Sequence, residues 1–344
     1  MLKGPVRRTP RRMPSLRRAG LHVRETDMTG SKLSDKIKFA MIPEDTTDEI
    51  YPMACYYFDG SGKSIRPLIV GRIAEALGGC IETNEKLQKV AMIAEMIHTG
   101  SLVHDDVIDK SEERRGKASA NSKWGVTKAV MAGNYIISYS SQLLASLESD
   151  EVTKIISRII EDLIYGELCQ LESVNSNHEH RYKQYIKKTY LKTASLIANS
   201  AEAVAVLTDQ PAHVQQAAFN FGKYLGIAFQ IQDDRLDFLA DSEQLGKPAC
   251  ADLKLGLSTA PVLYACQTHE GEMWPLMKRR FTSPGDVQKA HNIITRRSDA
   301  LLKTRLLAEN YAKRAAREID MLTADPVLKE NLLELTKMVT NRDK

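Results

Sequence analysis

Two aspartate clusters, Asp105-Asp106-Val-Ile-Asp109 and Asp233-Asp234-Arg-Leu-Asp237, constrain this 344-residue chain more than any other feature. Each reads DDxxD and each interrupts an apolar stretch. On a helix, the first and last Asp of such a cluster stand one turn apart on one face. Carboxylates projecting from two facing helices repel unless something positive lies between them. Mg²⁺ fits that place: it is a hard cation that takes oxygen ligands and reaches a substrate's phosphates through one or two carboxylates. One cluster alone would read as a solvated acidic turn. Two clusters in apolar surroundings point to a diphosphate held by several metal ions.

Apolar residues recur at three- and four-residue spacing over 87–103, 152–171 and 217–238, which is the helical period. Proline and glycine gather between these runs, at 58–67, 246–248 and 283–285. The expected fold is therefore all-α, a single domain over residues 31–344 whose 43 % hydrophobic content suffices for a large core. Residues 1–30 stand apart. Lys3, Arg7, Arg8, Arg11, Arg12, Arg17, Arg18 and Arg24 precede the first acidic residue, as in a mitochondrial transit peptide, although Pro5, Pro10 and Pro14 also suit a disordered basic arm. Without these eight charges the formal net of +4 becomes about −4, so the body offers no surface for nucleic acid. No run approaches the ~20 apolar residues of a membrane span, which leaves peripheral membrane contact. Five scattered cysteines without a CxxC pair indicate neither a zinc site nor a disulfide framework.

Cations accompany the acids. Lys63 and Arg66, in Ser61-Gly62-Lys63-Ser64-Ile65-Arg66-Pro67, offer a point charge and a bidentate fork for phosphate oxygens. The P-loop spacing is absent, since no glycine stands five residues before Gly62. His98 lies two turns before Asp105 on roughly the same face, a position that also suits a core histidine. Arg114 and Arg115 follow the first cluster at the expected helix end, Lys192-Thr193 sits in the apolar run 191–198, and Lys247 follows the second cluster. A lysine in an apolar helix is costly unless it meets an anion. Together these cations describe a site for two diphosphates.

The chain resembles the trans-prenyltransferases, the isoprenyl diphosphate synthase family. The likeness rests on Gly62-Lys63-xx-Arg66-Pro67, the run from His98 to Asp109, Arg114-Arg115-Gly116, Gly166-Glu167-xx-Gln170, Lys192-Thr193, and the stretch from Phe229-Gln230 through Asp237 to Gly246-Lys247-Pro248. Residues 251–259 and 279–287 and the Arg342-Asp343-Lys344 ending are similar to the eukaryotic long-chain polyprenyl branch, whose first subunit can require a second. The resemblance implies an isoprenoid-synthase-type helical bundle around a central active-site cavity, an oligomer, and a place in the mitochondrial matrix making the ubiquinone side chain. It implies three Mg²⁺ on an allylic diphosphate, with Asp105, Asp109, Asp233 and Asp237 as ligands and Asp106 and Asp234 in support. Arg114, Lys192 and Lys247 would neutralise the allylic diphosphate, while Lys63, Arg66, His98 and Arg115 would seat isopentenyl diphosphate. Thr193 and Gln230 would position substrate. A terpene cyclase and a non-catalytic subunit of a heteromeric synthase are the alternatives. The chain departs from the family pattern at Leu257, where a lysine is usual, at Asn134 for Asp, and at Ser61 for Gly. Gly100 and Ser101, small residues one turn before Asp105, are expected to leave a tunnel open for a long product, although Gly100 also suits close helix packing.

Overall fold

The computed structural model describes residues 30–42, 48–60, 65–171, 177–239 and 250–341. The basic N-terminal segment, Lys63 and Lys247 lie outside the described residues. What is described is helical almost throughout, as the periodicity requires: α1 (Gly30–Met41), α2 (Ile50–Ala54), α3 (Ile65–Ala76), α4 (Glu85–Ile108), α5 (Ala120–Trp124), α6 (Val126–Ala145), α7 (Asp150–Leu171), α8 (His178–Thr189), α9 (Ser195–Leu207) and α10 (Ala212–Leu236), then a C-terminal group that ends in the long helices Ala300–Leu322 and Pro326–Thr340. A two-stranded antiparallel hairpin, Glu113–Arg114 with Lys117–Ala118, is the one sheet among the described residues. Arg115 and Gly116 form its turn with φ of 54° and 72°, the left-handed pair that a tight hairpin needs. The arginines therefore ride on a hairpin and not on the helix end that the sequence suggested.

Two helices form the centre. α4 is capped by Asn84, whose side chain accepts the N–H groups of Lys86 and Leu87 at 3.0 and 3.2 Å, one of the preferred ways to satisfy a helix start. Leu87, Val90, Ala91, Ile93, Ala94, Met96 and Ile97 are all buried, so α4 is apolar nearly all round, as a central helix must be. It packs against α6, α3 and α9, while α10 packs against α9 and the helix Ala300–Leu322. α4 ends at Lys110 in the left-handed conformation (φ 53°), with Ser111 N–H donating to the Asp106 carbonyl at 2.9 Å, the Schellman arrangement. The first Asp cluster thus occupies the last turn and cap of α4, and the second occupies the same place on α10.

Between α8 and α9, Tyr190–Ala194 winds as a π turn, a wider turn common at functional sites. It carries Lys192 and Thr193. The helix that follows lies close on α10, because Gly222 and Gly226 present no side chain. A β-carbon at Gly226 would stand 2.6 Å from Ala194 Cα, and one at Gly222 would stand 2.7 Å from the Ile197 carbonyl oxygen. Among the described residues no helix is long and apolar enough to cross a membrane, and all five cysteines are free.

Gly226→Ala forces backbone apart, so it is expected to lower stability by about 1–3 kcal/mol. Gly71→Ala, where a β-carbon meets nothing within 4 Å, should raise it by about 0.5–1 kcal/mol. Urea denaturation of the two variants checks both signs.

Candidate active site

In each cluster the middle aspartate is buried and the outer two are half-buried. Asp106 has no exposed surface. It accepts the Tyr57 hydroxyl at 2.8 Å and the Arg114 Nε and Nη2 groups at 2.9 and 2.5 Å. Tyr57 in turn accepts the Ala120 N–H at 2.9 Å. Asp106 therefore ties α4 to the hairpin and to α5. The second cluster repeats the device: Asp234 accepts the Tyr185 hydroxyl at 2.7 Å and the Gln230 amide at 2.8 Å. Both tyrosines lie 49 residues before their aspartates, so the echo between the clusters extends to what holds them.

Four of the expected site residues, Arg114, Thr193, Gln230 and Asp237, make hydrogen bonds within the protein. Arg114, expected on a diphosphate, is committed to Asp106. Thr193 donates to the Gln230 side-chain oxygen at 2.8 Å, so these two residues brace Asp234 and each other. Asp237, expected as a metal ligand, accepts the N–H groups of Ala251 and Asp252, both at 3.1 Å, and so starts the short helix Ala251–Lys254. Asp105, Asp109 and Asp233 are likewise half-buried.

Lys192 bridges the two halves. Its ammonium reaches Glu167 at 2.5 Å, Gln170 at 3.2 Å and Asp105 at 4.0 Å. It can cross α7 there because Gly166 has no side chain; a β-carbon would meet Lys192 Cγ at 2.6 Å. Burial pushes the Asp105 carboxyl up to about 6, opposed by Lys192 and reinforced by Glu167 and Asp109. Asp109 is raised as well, again chiefly by burial. These are carboxylates short of positive charge. They also sit at the negative end of the α4 dipole, with no basic residue in its last turn.

A second cationic group lies beside them. Arg66, on α3, is desolvated, which weakens its hold on its proton, while Glu95 and Asp233 favour its charge and Arg115 opposes it. The field of Asp233 on Arg66 places the α10 cluster and α3 around one cleft. Burial, then Arg66, Arg115 and Arg114, push the pKa of His98 well down and keep its imidazole neutral. Glu95 is buried, and burial raises its carboxyl against the pull of Arg66 and Arg115. Sequence reasoning missed Glu95, although it stands three residues before His98 and so shares its face. Glu167 was visible only as part of a motif, with no hint that it holds Lys192.

Gly100 is buried against α6, and a β-carbon there would come within 2.8 Å of Ile137 Cγ1. Helix packing explains this glycine. Ser101 is half-buried, with its hydroxyl donating to the His98 carbonyl at 2.9 Å. Asn134 is exposed on α6.

Among the described residues no three acidic, His or Cys side chains close into a protein-only metal cage. Mg²⁺ does not need one, because it keeps several waters and completes its shell with substrate phosphates. Half-buried carboxylates with raised pKa at a helix C-terminus fit that ion.

The polyprenyl synthetase family model matches residues 47–294. The human all trans-polyprenyl-diphosphate synthase PDSS1 is 46% identical over 303 residues, covering 87% of this chain and 72% of that protein. Decaprenyl-diphosphate synthase subunit 1 of Schizosaccharomyces pombe is 32% identical, covering 98% and 96%. The crystal structure of a Caulobacter crescentus polyprenyl synthase complexed with calcium and isoprenyl diphosphate superposes with a TM-score of 0.81 at 29% identity, over 92% of this chain and 95% of that one. The bundle is the isoprenoid-synthase fold. The chain belongs to the polyprenyl synthetase family, and it is an enzyme of the polyprenyl diphosphate synthase type.

Folding raises the Asp105 carboxyl from an ordinary 3.8 to about 6, so ionising it costs stability. That cost is absent below pH 4, grows between pH 4 and 6, and is complete above pH 6. Metal-free Asp105→Asn is therefore expected to be more stable than wild type at pH 7.5, by about 1–3 kcal/mol. The difference should vanish at pH 4, as urea denaturation at the two pH values would show.

Proposed function

We propose that the chain condenses isopentenyl diphosphate head to tail onto an allylic diphosphate, farnesyl or geranylgeranyl, and makes a long all-trans polyprenyl diphosphate for the ubiquinone side chain. The observation that carries this reading is the meeting of Asp105, Asp109 and Asp233, at two helix ends, with Lys192 on one side and Arg66, neutral His98 and Arg115 on the other. Bound Mg²⁺, three ions by family resemblance, would neutralise the departing pyrophosphate. Asp105, Asp109 and Asp233 are the side chains to hold it. Lys192 faces the allylic diphosphate. Arg66, His98 and Arg115 seat isopentenyl diphosphate, whose correct placement supplies much of the rate. Lys63 and Lys247 are proposed to join these two groups. The allylic carbon–oxygen bond breaks and its electrons leave with pyrophosphate. The terminal double bond of isopentenyl diphosphate then forms the new carbon–carbon bond, and the proton released in re-forming a double bond passes to pyrophosphate.

The second cationic group disfavours a terpene cyclase, which needs no isopentenyl site, and the intact acidic clusters disfavour a purely regulatory subunit. A long product agrees with Ser101, which brings no bulk to the Asp105 face of α4. Assembly is supported by uncovered apolar side chains on α7, where Ile164, Tyr165 and Leu168 are 60%, 54% and 53% exposed, and on α6, where Met131 is 56% exposed. We take its partner to be a second copy or a related synthase subunit. The basic N-terminal segment supports import into the mitochondrial matrix, and peripheral contact with a membrane would receive so apolar a product.

Incorporation of labelled isopentenyl diphosphate, with Mg²⁺ and either allylic primer, tests the reaction. The Asp105→Ala, Asp233→Ala double variant is expected to lose at least about a thousandfold in rate, on the order of 4 kcal/mol of barrier; undiminished turnover would defeat the catalytic reading. In the same assay Ser101→Phe should shorten the products resolved by chain length, and an unchanged product ladder would remove Ser101 from control of length.

A further inference from the structure

Lys188 is a cation that the reaction scheme above leaves unused. It lies one turn before Lys192, near the end of α8, and lines an open cleft together with Gln170, Tyr185, Leu257 and Arg280. This cleft adjoins the catalytic groups on two sides. Gln170 accepts the Lys192 ammonium at 3.2 Å, and Tyr185 donates to Asp234 at 2.7 Å. Among the described residues Lys188 makes no hydrogen bond or ion pair. Asp234, the carboxylate that acts on it most, is already bonded to Gln230 and Tyr185. Burial lowers the Lys188 pKa, Asp234 and Asp252 oppose that shift, and Lys192 adds to it. A desolvated ammonium without an anion is unfavourable, and two lysines that repel each other across one turn share a need for a negative ligand. Leu257 lines the same cleft and can satisfy neither.

We propose that Lys188 is a ligand of the allylic diphosphate, supplying from α8 the positive charge that Leu257 does not bring to this cleft. The inference rests on the proposed function, because the anion it names is that reaction's substrate. The negative charge of the diphosphate spans two phosphates, so Lys192 and Lys188, one helical turn apart, can each meet one of them. Lys188 touches substrate in this scheme and takes no part in bond making.

The test is calorimetric titration of the full chain with inorganic pyrophosphate plus Mg²⁺, with geranylgeranyl diphosphate, and separately with isopentenyl diphosphate. Lys188→Met is expected to weaken binding of pyrophosphate and of geranylgeranyl diphosphate by about tenfold or more, the loss of one charge-assisted contact. Isopentenyl diphosphate affinity should not change. Removing an unpaired, half-buried charge should leave Tm unchanged or higher, and Lys188→Arg should keep most of the affinity. Adding Leu257→Lys to Lys188→Met should restore pyrophosphate binding. Wild-type affinity in Lys188→Met overturns the inference, as does failure of Leu257→Lys to restore it. A parallel fall in affinity and Tm in both Lys188 variants assigns a structural role and overturns it too. A wild-type chain that binds no pyrophosphate overturns the proposed function, and this inference with it; normal wild-type binding alongside an unaffected Lys188→Met overturns this inference alone.

Discussion

The buried aspartate at the centre of each cluster sets the geometry on which the rest of the site depends. A carboxylate at the C-terminal end of a helix is opposed by the helix dipole, and one without solvent must find donors. Asp106 finds Tyr57 and Arg114; Asp234 finds Tyr185 and Gln230. Those bonds fix the last turn of α4 and of α10. Once that turn is fixed, Asp105 and Asp233, each one residue before a buried aspartate, are rotated out from it towards the cleft, and Asp109 stands one turn beyond Asp105 on the same face. The half-buried carboxylates are directed by their buried neighbours.

Close approach of helices does the remaining positioning. Gly222 and Gly226 let α9 settle on α10 almost backbone to backbone, and Gly166 lets the stem of Lys192 pass over α7. The π turn at Tyr190–Ala194 lies between these contacts. It widens the helix where two neighbouring side chains must do different work: Lys192 turns to Glu167 and Asp105, and Thr193 turns to Gln230. An unbroken α-helix and a larger residue at Gly166 would each put that ammonium somewhere else.

Much of this was legible in the sequence because its signals are local. The helical period of 87–103 and 217–238 marked α4 and α10, and DDxxD at the end of each marked the site. What stayed hidden depends on contacts between distant segments. Nothing near Arg114 distinguishes an arginine for phosphate from one bonded to Asp106, and the Glu113–Ala118 hairpin is too short to show alternation. Asp237 reads as one of four ligands, and nothing local shows that the backbone of residues 251–252 comes back to meet it. Gly100 reads as open space until α6 brings Ile137 against it. Glu95 is a polar residue in an apolar run, and only the fold brings the charges of Arg66 and Arg115 to act on it.

Charge balance explains why so many ionisable groups can share one cleft before any ligand arrives. Arg114 is matched by Asp106, Lys192 by Glu167, and Arg66 lies in the field of Glu95 and Asp233. Each matched pair lowers the cost of holding its members out of water. The groups left over are of both signs: Asp105 and Asp109, with carboxyls that burial keeps raised, and Lys188, with an ammonium that burial weakens. A metal ion alone would serve only the first kind, and a phosphate alone only the second. A magnesium diphosphate serves both at once. The site is therefore complementary to the two together, and in the proposed reaction the same unmatched charges that cost the empty protein stability would bind the substrate.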